Sequence, residues 1–271
     1  MSGMPSRIVS LSPSNTEILC ALGLGPRLVG VDDWSDHPEE VRTLPRVGRD
    51  LDVDVARVAA LRPDLVVACL SVPGMERNVE RLRAAGLPFI VVDSAGLDGL
   101  DGVFDNILRI GDATARGSEA ATLVADLRAR MERVASRVAA RAVARPRVYW
   151  EWYPKPLVAA AGRSWITRML AMAGADNVFA DRDTESAKVT MEEVAERRPE
   201  VLVACWCGAR TQPTPARIAA RDGWDGVPAI LDGRVHVVPE TLFGRPGPRL
   251  AEGLELLADL LHTDAASESS A

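Results

Sequence analysis

Residues Ala56 to Cys69 read ARVAALRPDLVVAC, and residues Glu192 to Cys205 read EEVAERRPEVLVAC. Each is a short helix that ends in Arg-Pro, followed by an acid, an apolar run and a cysteine. The register extends upstream, where Val53-Asp54-Val55 answers Val189-Thr190-Met191. The two copies lie 136 positions apart, half of the 271-residue chain. Solenoid repeats have periods of roughly 20–50 residues, so this spacing predicts two similar α/β lobes in tandem. A ligand cleft is expected between such lobes.

Outward from the repeat, strands alternate with helices, which implies βαβ units and parallel pairing. In the first half, strands are predicted at Arg7–Leu11, Leu28–Val31, Leu65–Leu70 and Phe89–Val92. Helices are predicted after Ser14, over Val53–Leu61 and over Glu76–Ala85. Ser14 and Glu17 have the spacing of a capping box. In the second half, Arg147–Trp150, Val201–Cys205 and Val235–Val238 read as strands, and Glu151–Lys155 as a loop. Ser164–Ala173, Met191–Arg197, Pro215–Arg221 and Arg249–Leu261 read as helices. Between the halves, Ala120, Leu123, Val124, Leu127, Met131, Val134 and Val138 mark one helical face. One helix from Ala113 to Arg141, about 40 Å long, is expected to join the lobes as a stiff spine. The alternative is two helices broken at Gly111 or Gly117. The expected division is an N-terminal α/β lobe over 1–110, a bridging helix over 111–143, a C-terminal lobe over 144–262 and a disordered tail over 263–271.

A net charge of −6 with no basic stripe argues against nucleic acid as a partner. No apolar run of about 18 residues is present to span a membrane. The opening MSGMPSRIVSLSPSN has no apolar leader segment, which predicts a cytoplasmic protein if the sequence starts there. Cys205-Trp206-Cys207 lacks the partners of a structural zinc site, since the only histidines are His37, His236 and His262. No nucleophile elbow, zincin motif or phosphate loop occurs, so no catalytic residue, catalytic cofactor or metal is expected. Asp32 and Asp33 are adjacent carboxylates whose side chains, on an extended segment, point apart.

In open α/β sheets, ligands bind beyond the carboxyl ends of the strands. The residues there are Ser12 and Ser14, then Asp33 and Trp34, then Glu151, Trp152 and Tyr153, then Trp206 and Cys207, and finally Glu240, Phe243 and Arg245. Aromatics make up 4% of the chain, yet they gather at these tips. Trp34, Trp152, Tyr153, Trp206 and Phe243, with Trp165 beside them, suit a large flat ligand. Ser12, Ser14, Glu151 and Arg245 are the expected polar contacts to its rim.

The opening Ile8-Val9-Ser10-Leu11-Ser12-Pro13-Ser14-Asn15-Thr16-Glu17 resembles the start of the cobalamin-binding proteins of ABC importers. They belong to a wider group for cobalamin, haem and iron–siderophores. Further matches are Gly30-Val31 with Ser35-Asp36 and Pro38, Leu61 with Pro63-Asp64-Leu65-Val66, and Arg245 with Gly247-Pro248-Arg249. The resemblance covers most of the chain from Ile8 to Leu261. It implies two α/β lobes bridged by one long helix, no enzymatic activity, a corrinoid as ligand, and delivery to an ABC permease outside the cytoplasm by a monomeric protein. It also implies permease docking through Glu76. In the second half the matching position holds Gly244, and Glu240 is the nearby acid. Alternative cargoes are haem, with an axial ligand from Tyr153, Cys207 or a histidine, and an iron–siderophore held by Arg163, Arg210 and Arg245. A third reading is a cytoplasmic corrinoid- or metal-handling protein that uses Cys205 and Cys207 as soft ligands.

Overall fold

The computed structural model describes residues 4–70, 74–92, 99–141, 144–209 and 211–262. The chain divides into two compact units. The first comprises Met1–Leu97, Asp101–Leu127 and Pro246–Pro248; the second comprises Asp98–Leu100, Arg128–Arg245 and Arg249–Ala271.

The first unit opens with β1 (Ile8–Ser10), α1 (Pro13–Ala21) and β2 (Leu28–Val31). A small hairpin of β3 (Gly48–Arg49) and β4 (Asp52–Val53) precedes α2 (Val55–Ala60), β5 (Leu65–Cys69), α3 (Glu76–Ala84) and β6 (Phe89–Val92). Its main sheet is parallel, in the order β2-β1-β5-β6. β1 and β5 are buried along their whole length, as expected of parallel strands covered on both faces. α4 (Gly99–Ala113) and α5 (Gly117–Ala139) follow. The division between the units falls within α5, after Leu127.

The second unit continues with β7 (Arg147–Pro154), β8 (Leu157–Ala160), α6 (Trp165–Met172), β9 (Asp176–Asn177) and β10 (Ser186–Lys188). Then come α7 (Met191–Glu196), β11 (Val201–Ala204), α8 (Pro215–Ala219), α9 (Pro228–Leu231), β12 (Val235–Val237), α10 (Glu240–Phe243) and α11 (Leu250–His262). The sheet order is β10-β8-β7-β11-β12, with β9 also on β7. β7, β11 and β12 are mutually parallel, like β1, β5 and β6.

The repeat read in the sequence has a repeated set of contacts. α2 and α7 begin and end at equivalent positions, behind the capping residues Asp54 and Thr190. The arginine of each Arg-Pro pair takes a left-handed backbone: Arg62 at φ 49° and Arg198 at φ 46°. A second arginine, at the head of each unit's central strand, reaches that turn. Arg7 Nη2 donates to Leu61 O at 2.6 Å, and Arg147 Nη2 donates to Arg197 O at 2.6 Å. The acid after each proline returns the contact. Asp64 accepts from the backbone N–H groups of Ser6 and Arg7, and Glu200 accepts from Arg147 N. Each αβ corner is thus tied to the strand beside it by charge-assisted hydrogen bonds.

Three local expectations are corrected. Ser12, not Ser14, is the N-cap of α1, with Pro13 at the first helical position, and no side chain caps the helix. Ser14 is drawn instead toward the Ser12 hydroxyl, 3.3 Å away. The helix expected from Ala113 starts at Gly117, because α4 ends in a Schellman motif: Arg116 N bonds Gly111 O at 2.7 Å, and Ala115 sits at φ 54°. The left-handed residue is alanine rather than the usual glycine, and the arrangement is the two-helix alternative, with the second helix starting at Gly117. Third, Glu151–Tyr153 is strand and not loop, because β7 runs on into an antiparallel pairing with β8. The tail at 263–271 lies outside the described residues.

Gly111 is where α4 and α5 touch. A Cβ there would stand 2.4 Å from Ala120 Cβ and 3.0 Å from Arg116 O. Gly111→Ala would gain about 1 kcal/mol of helix propensity, but overpacking costs about 1–3 kcal/mol. Urea denaturation should therefore show a less stable protein, and adding Ala120→Gly should restore most of the loss. A stabilised single variant would refute this packing.

Candidate functional site

In each unit the candidate site lies at the carboxyl ends of the parallel strands. The first unit's sheet has its switch point between β1 and β5, the place where open α/β sheets hold ligands. Asn15 spans it, donating to Ala68 O at 3.3 Å. Behind it runs a buried chain of hydroxyls. The Thr16 hydroxyl donates to Ser10 Oγ at 2.8 Å and lies 2.7 Å from Ser35 Oγ. Ser35 Oγ in turn donates to Asp32 Oδ1. Asp32 is fully buried, and its other oxygen accepts Trp34 N at 2.8 Å. Arg46 closes the turn by donating to Asp32 O and Ser35 O. The result is a fixed turn that presents Trp34 with 50% of its surface exposed. Asp33 is exposed beside it, so the two adjacent carboxylates do point apart. Ser12 and Ser14, expected to contact ligand, are buried.

In the second unit, β7 alternates its side chains between two environments. Tyr149 and Glu151 enter the core cluster that holds Phe179, Trp206 and Trp224. Glu151 is fully buried and accepts four hydrogen bonds: two from Arg221 at 2.5 and 2.7 Å, one from Trp206 Nε1 at 2.8 Å and one from the Tyr149 hydroxyl at 3.2 Å. Burial first, and the Glu151 charge second, push the Tyr149 phenol well above its ordinary pKa, so it remains a donor. Arg221 also lies over the Trp224 ring at 4.7 Å.

On the other face, Phe243 packs on Trp150 at 5.1 Å, Trp150 on Trp152 at 5.6 Å, and Trp152 on Trp165 at 5.7 Å. Trp165 Nε1 closes the set by donating to Phe243 O at 2.9 Å. Phe243 and Trp150 are fully buried; Trp152 and Trp165 are partly exposed. A bulge at Trp152, between Glu151 and Tyr153, locally re-aims the strand. Tyr153 is 43% exposed.

The expected aromatic set therefore splits. Trp34, Trp152, Tyr153 and Trp165 present surface to solvent, while Trp206 and Phe243 are core. Glu151, expected at a ligand's rim, is committed to Arg221. Arg245 is buried with its Nε 3.9 Å from Glu240 Oε1. Cys207 is partly exposed, and its N–H donates to Trp152 O at 3.3 Å. Glu76 is exposed; its own N–H and that of Gly74, 2.7 Å from Oε2, hold its carboxyl below the ordinary value. Arg163 is exposed, and Arg210 lies outside the described residues. Among the described residues no three of His, Cys, Asp and Glu come together as a metal site. No helix there is long and apolar enough to cross a membrane.

Sequence reasoning missed Arg221, Arg46 and the Thr16–Ser35–Asp32 chain. One signal was available for the first: a carboxylate inside Tyr149-Trp150-Glu151-Trp152-Tyr153 is a buried acid that must find a cation.

The profile of the periplasmic binding protein family matches residues 8–242. An uncharacterised ABC transporter substrate-binding lipoprotein of Bacillus subtilis, YvrC, is 33% identical over 270 residues, covering 97% of this chain and 82% of that protein. A vitamin B12-binding protein of Vibrio parahaemolyticus is 28% identical over 248 residues, covering 90% of this chain and 84% of that protein. Among solved structures, a periplasmic haem-binding protein from Roseiflexus sp. RS-1 superposes with a TM-score of 0.81 at 25% identity, covering 95% of this chain and 98% of that one.

Removing one partner of a buried ion pair costs about 3–5 kcal/mol. Arg221→Met should lower unfolding stability by that order, and Arg221→Lys by less. In a double-mutant cycle with Glu151→Gln, the two losses should be strongly non-additive. Additive losses would mean that Arg221 and Glu151 act independently.

Proposed function

The chain belongs to the periplasmic binding protein family, and from that premise we propose that it captures a corrinoid, cobalamin above all, for ABC-type import. Membership makes it a substrate-binding protein of the ABC type, related to proteins named for vitamin B12, haem and iron compounds. The corrinoid reading rests on one observation. In both units the residues held out at the carboxyl ends of the sheet are wide aromatic faces: Trp34 in the first, and Trp152, Trp165 and Tyr153 in the second. Such faces gain contact area at little entropic cost, and a corrin ring is broad and flat enough to use them. The near-full-length likeness to vitamin B12-binding proteins supports the same cargo.

The mechanism is capture by preformed surfaces. The Trp34 backbone is fixed by the Asp32 turn, and the Trp152 ring is fixed by Trp150 and Trp165. Little ordering is left for the ligand to impose, and preorganisation of this kind raises affinity. The proposed site of action is outside the cytoplasmic membrane, as for relatives described as periplasmic or as lipoproteins. The proposed partner is a membrane permease that Glu76 meets in the first unit and Glu240 in the second. Haem is the second reading. It is favoured by the exposed phenol of Tyr153, an oxygen that an iron centre accepts as an axial ligand.

The test is calorimetric titration with cyanocobalamin, haemin and a ferric hydroxamate in parallel. Saturable 1:1 binding of cyanocobalamin at micromolar or tighter affinity is expected. Trp34→Ala and Trp152→Ala should each weaken it more than tenfold without lowering the melting temperature appreciably. Binding of haemin alone, abolished by Tyr153→Phe, would replace the corrinoid with the second reading.

A further inference from the structure

Two thiols that ligand capture does not use stand at the end of β11. Cys205 is fully buried, and Cys207 is partly exposed. Only Trp206 separates them, just beyond the strand's last residue, Ala204. The turn after Trp206 then folds Cys207 back. Its Sγ lies 3.8 Å from Cys205 O. Gly244 leaves the space that the sulfur occupies, since a Cβ there would stand 2.6 Å from Cys207 Sγ. The other two cysteines, Cys20 and Cys69, belong to the first unit.

We propose that Cys207 and Cys205 form a thiol–disulfide exchange site whose co-substrate is a low-molecular-weight disulfide. Cys207, the reachable sulfur, attacks as thiolate on one sulfur of the disulfide RSSR. The S–S bond of RSSR breaks, one RS⁻ leaves, and a mixed disulfide forms on Cys207. Cys205 then gives up its proton and attacks Cys207 Sγ; the mixed bond breaks and the second RS⁻ leaves. In sum, the protein dithiol and RSSR become a Cys205–Cys207 disulfide and two RSH. The protein loses two electrons and two protons, and the small disulfide gains them. An excess of RSH runs the exchange backwards. The division of labour follows from the surroundings. The Cys207 hydrogen bond first, then burial and the Glu240 charge, hold the Cys205 thiol well above its ordinary pKa, so Cys205 is a poor first attacker.

The experiment equilibrates the full chain in a series of oxidised and reduced glutathione buffers. Free thiols are then alkylated, and intact and peptide masses are read. The expected result is that two of the four thiols disappear together. The peptide carrying both Cys205 and Cys207 should lose two hydrogens, and reduced dithiothreitol should reverse the change. A Cys20→Ser, Cys69→Ser double variant should behave like the unaltered chain. Cys207→Ser should abolish the exchange, and Cys205→Ala should stop it at a glutathione adduct on Cys207. Four alkylatable thiols throughout the series, or an adduct on Cys207 that Cys205 never displaces in the unaltered chain, would overturn the proposal. The peptide masses of the unaltered chain decide the question even if the Cys205 variant fails to fold.

Discussion

A carboxylate withdrawn from water costs several kcal/mol unless its charge and its lone pairs are both answered. In the second unit that requirement decides which residues can stand around Glu151. Arg221 supplies the charge through two nitrogens, and Trp206 and Tyr149 supply the remaining donors. These partners come from three places in the chain: the strand β7 itself, the end of β11 and the segment after α8. Satisfying one acid therefore pins the connection that follows β11 against the sheet. It also settles which tryptophans are available for a ligand. Trp206 cannot turn outward without leaving the Glu151 carboxylate short of a donor.

The first unit meets a related demand with smaller groups. Asp32 is equally buried, and its carboxylate accepts from the Ser35 hydroxyl and the Trp34 backbone N–H. Behind it the Ser35, Thr16 and Ser10 hydroxyls lie in a buried row, with Thr16 Oγ1 2.7 Å from Ser35 Oγ and 2.8 Å from Ser10 Oγ. The row crosses from the turn after β2 to α1 and back to β1. At its outer end Asp32 holds the Trp34 backbone directly. The motif Ser12-Pro13-Ser14-Asn15-Thr16 thus has a structural use that a cap reading does not capture. Thr16 and Asn15 carry the contacts, while Ser12 and Ser14 are buried beside them.

The repeat was legible because its reason is local. A helix that stops at Arg-Pro and a strand that starts at an acid leave their marks in adjacent residues, and both copies carry the same arginine and carboxylate contacts. The strands β2 and β6 were legible to the residue for a related reason, since each is an apolar run between turn residues. What failed depends on distant partners. β7 reads as ending at Trp150 because the residues that extend it, in β8, pair antiparallel across a two-residue turn with no glycine. The glycines marked a possible break between α4 and α5, but the left-handed residue that makes the stop is Ala115, a conformation composition assigns to glycine. At the site, exposure was the unreadable quantity. Trp206 and Trp152 occupy similar positions at strand ends, and only the 55-residue reach from Trp206 to Glu151 separates core from surface.

Three of the six tryptophans, Trp150, Trp206 and Trp224, are buried, and Trp34, Trp152 and Trp165 are not. Leaving an indole in water forgoes the gain of burying it, which for a large aromatic is of the order of 2 kcal/mol or more. A fold that needed these rings only for packing could have turned them inward, as it did their neighbours. Instead, a hydrogen bond holds the Trp165 ring and ring contacts hold Trp152, while Asp32 fixes the backbone at Trp34. An exposed ring held in place is a different object from an exposed ring on a free loop. The ordering cost that a ligand must otherwise meet, about 0.5–1.5 kcal/mol for each immobilised side chain, has already been met in folding. Rings held in this way offer a rigid, flat surface, and a partner that has to order itself on binding gains less from such a surface than a rigid one.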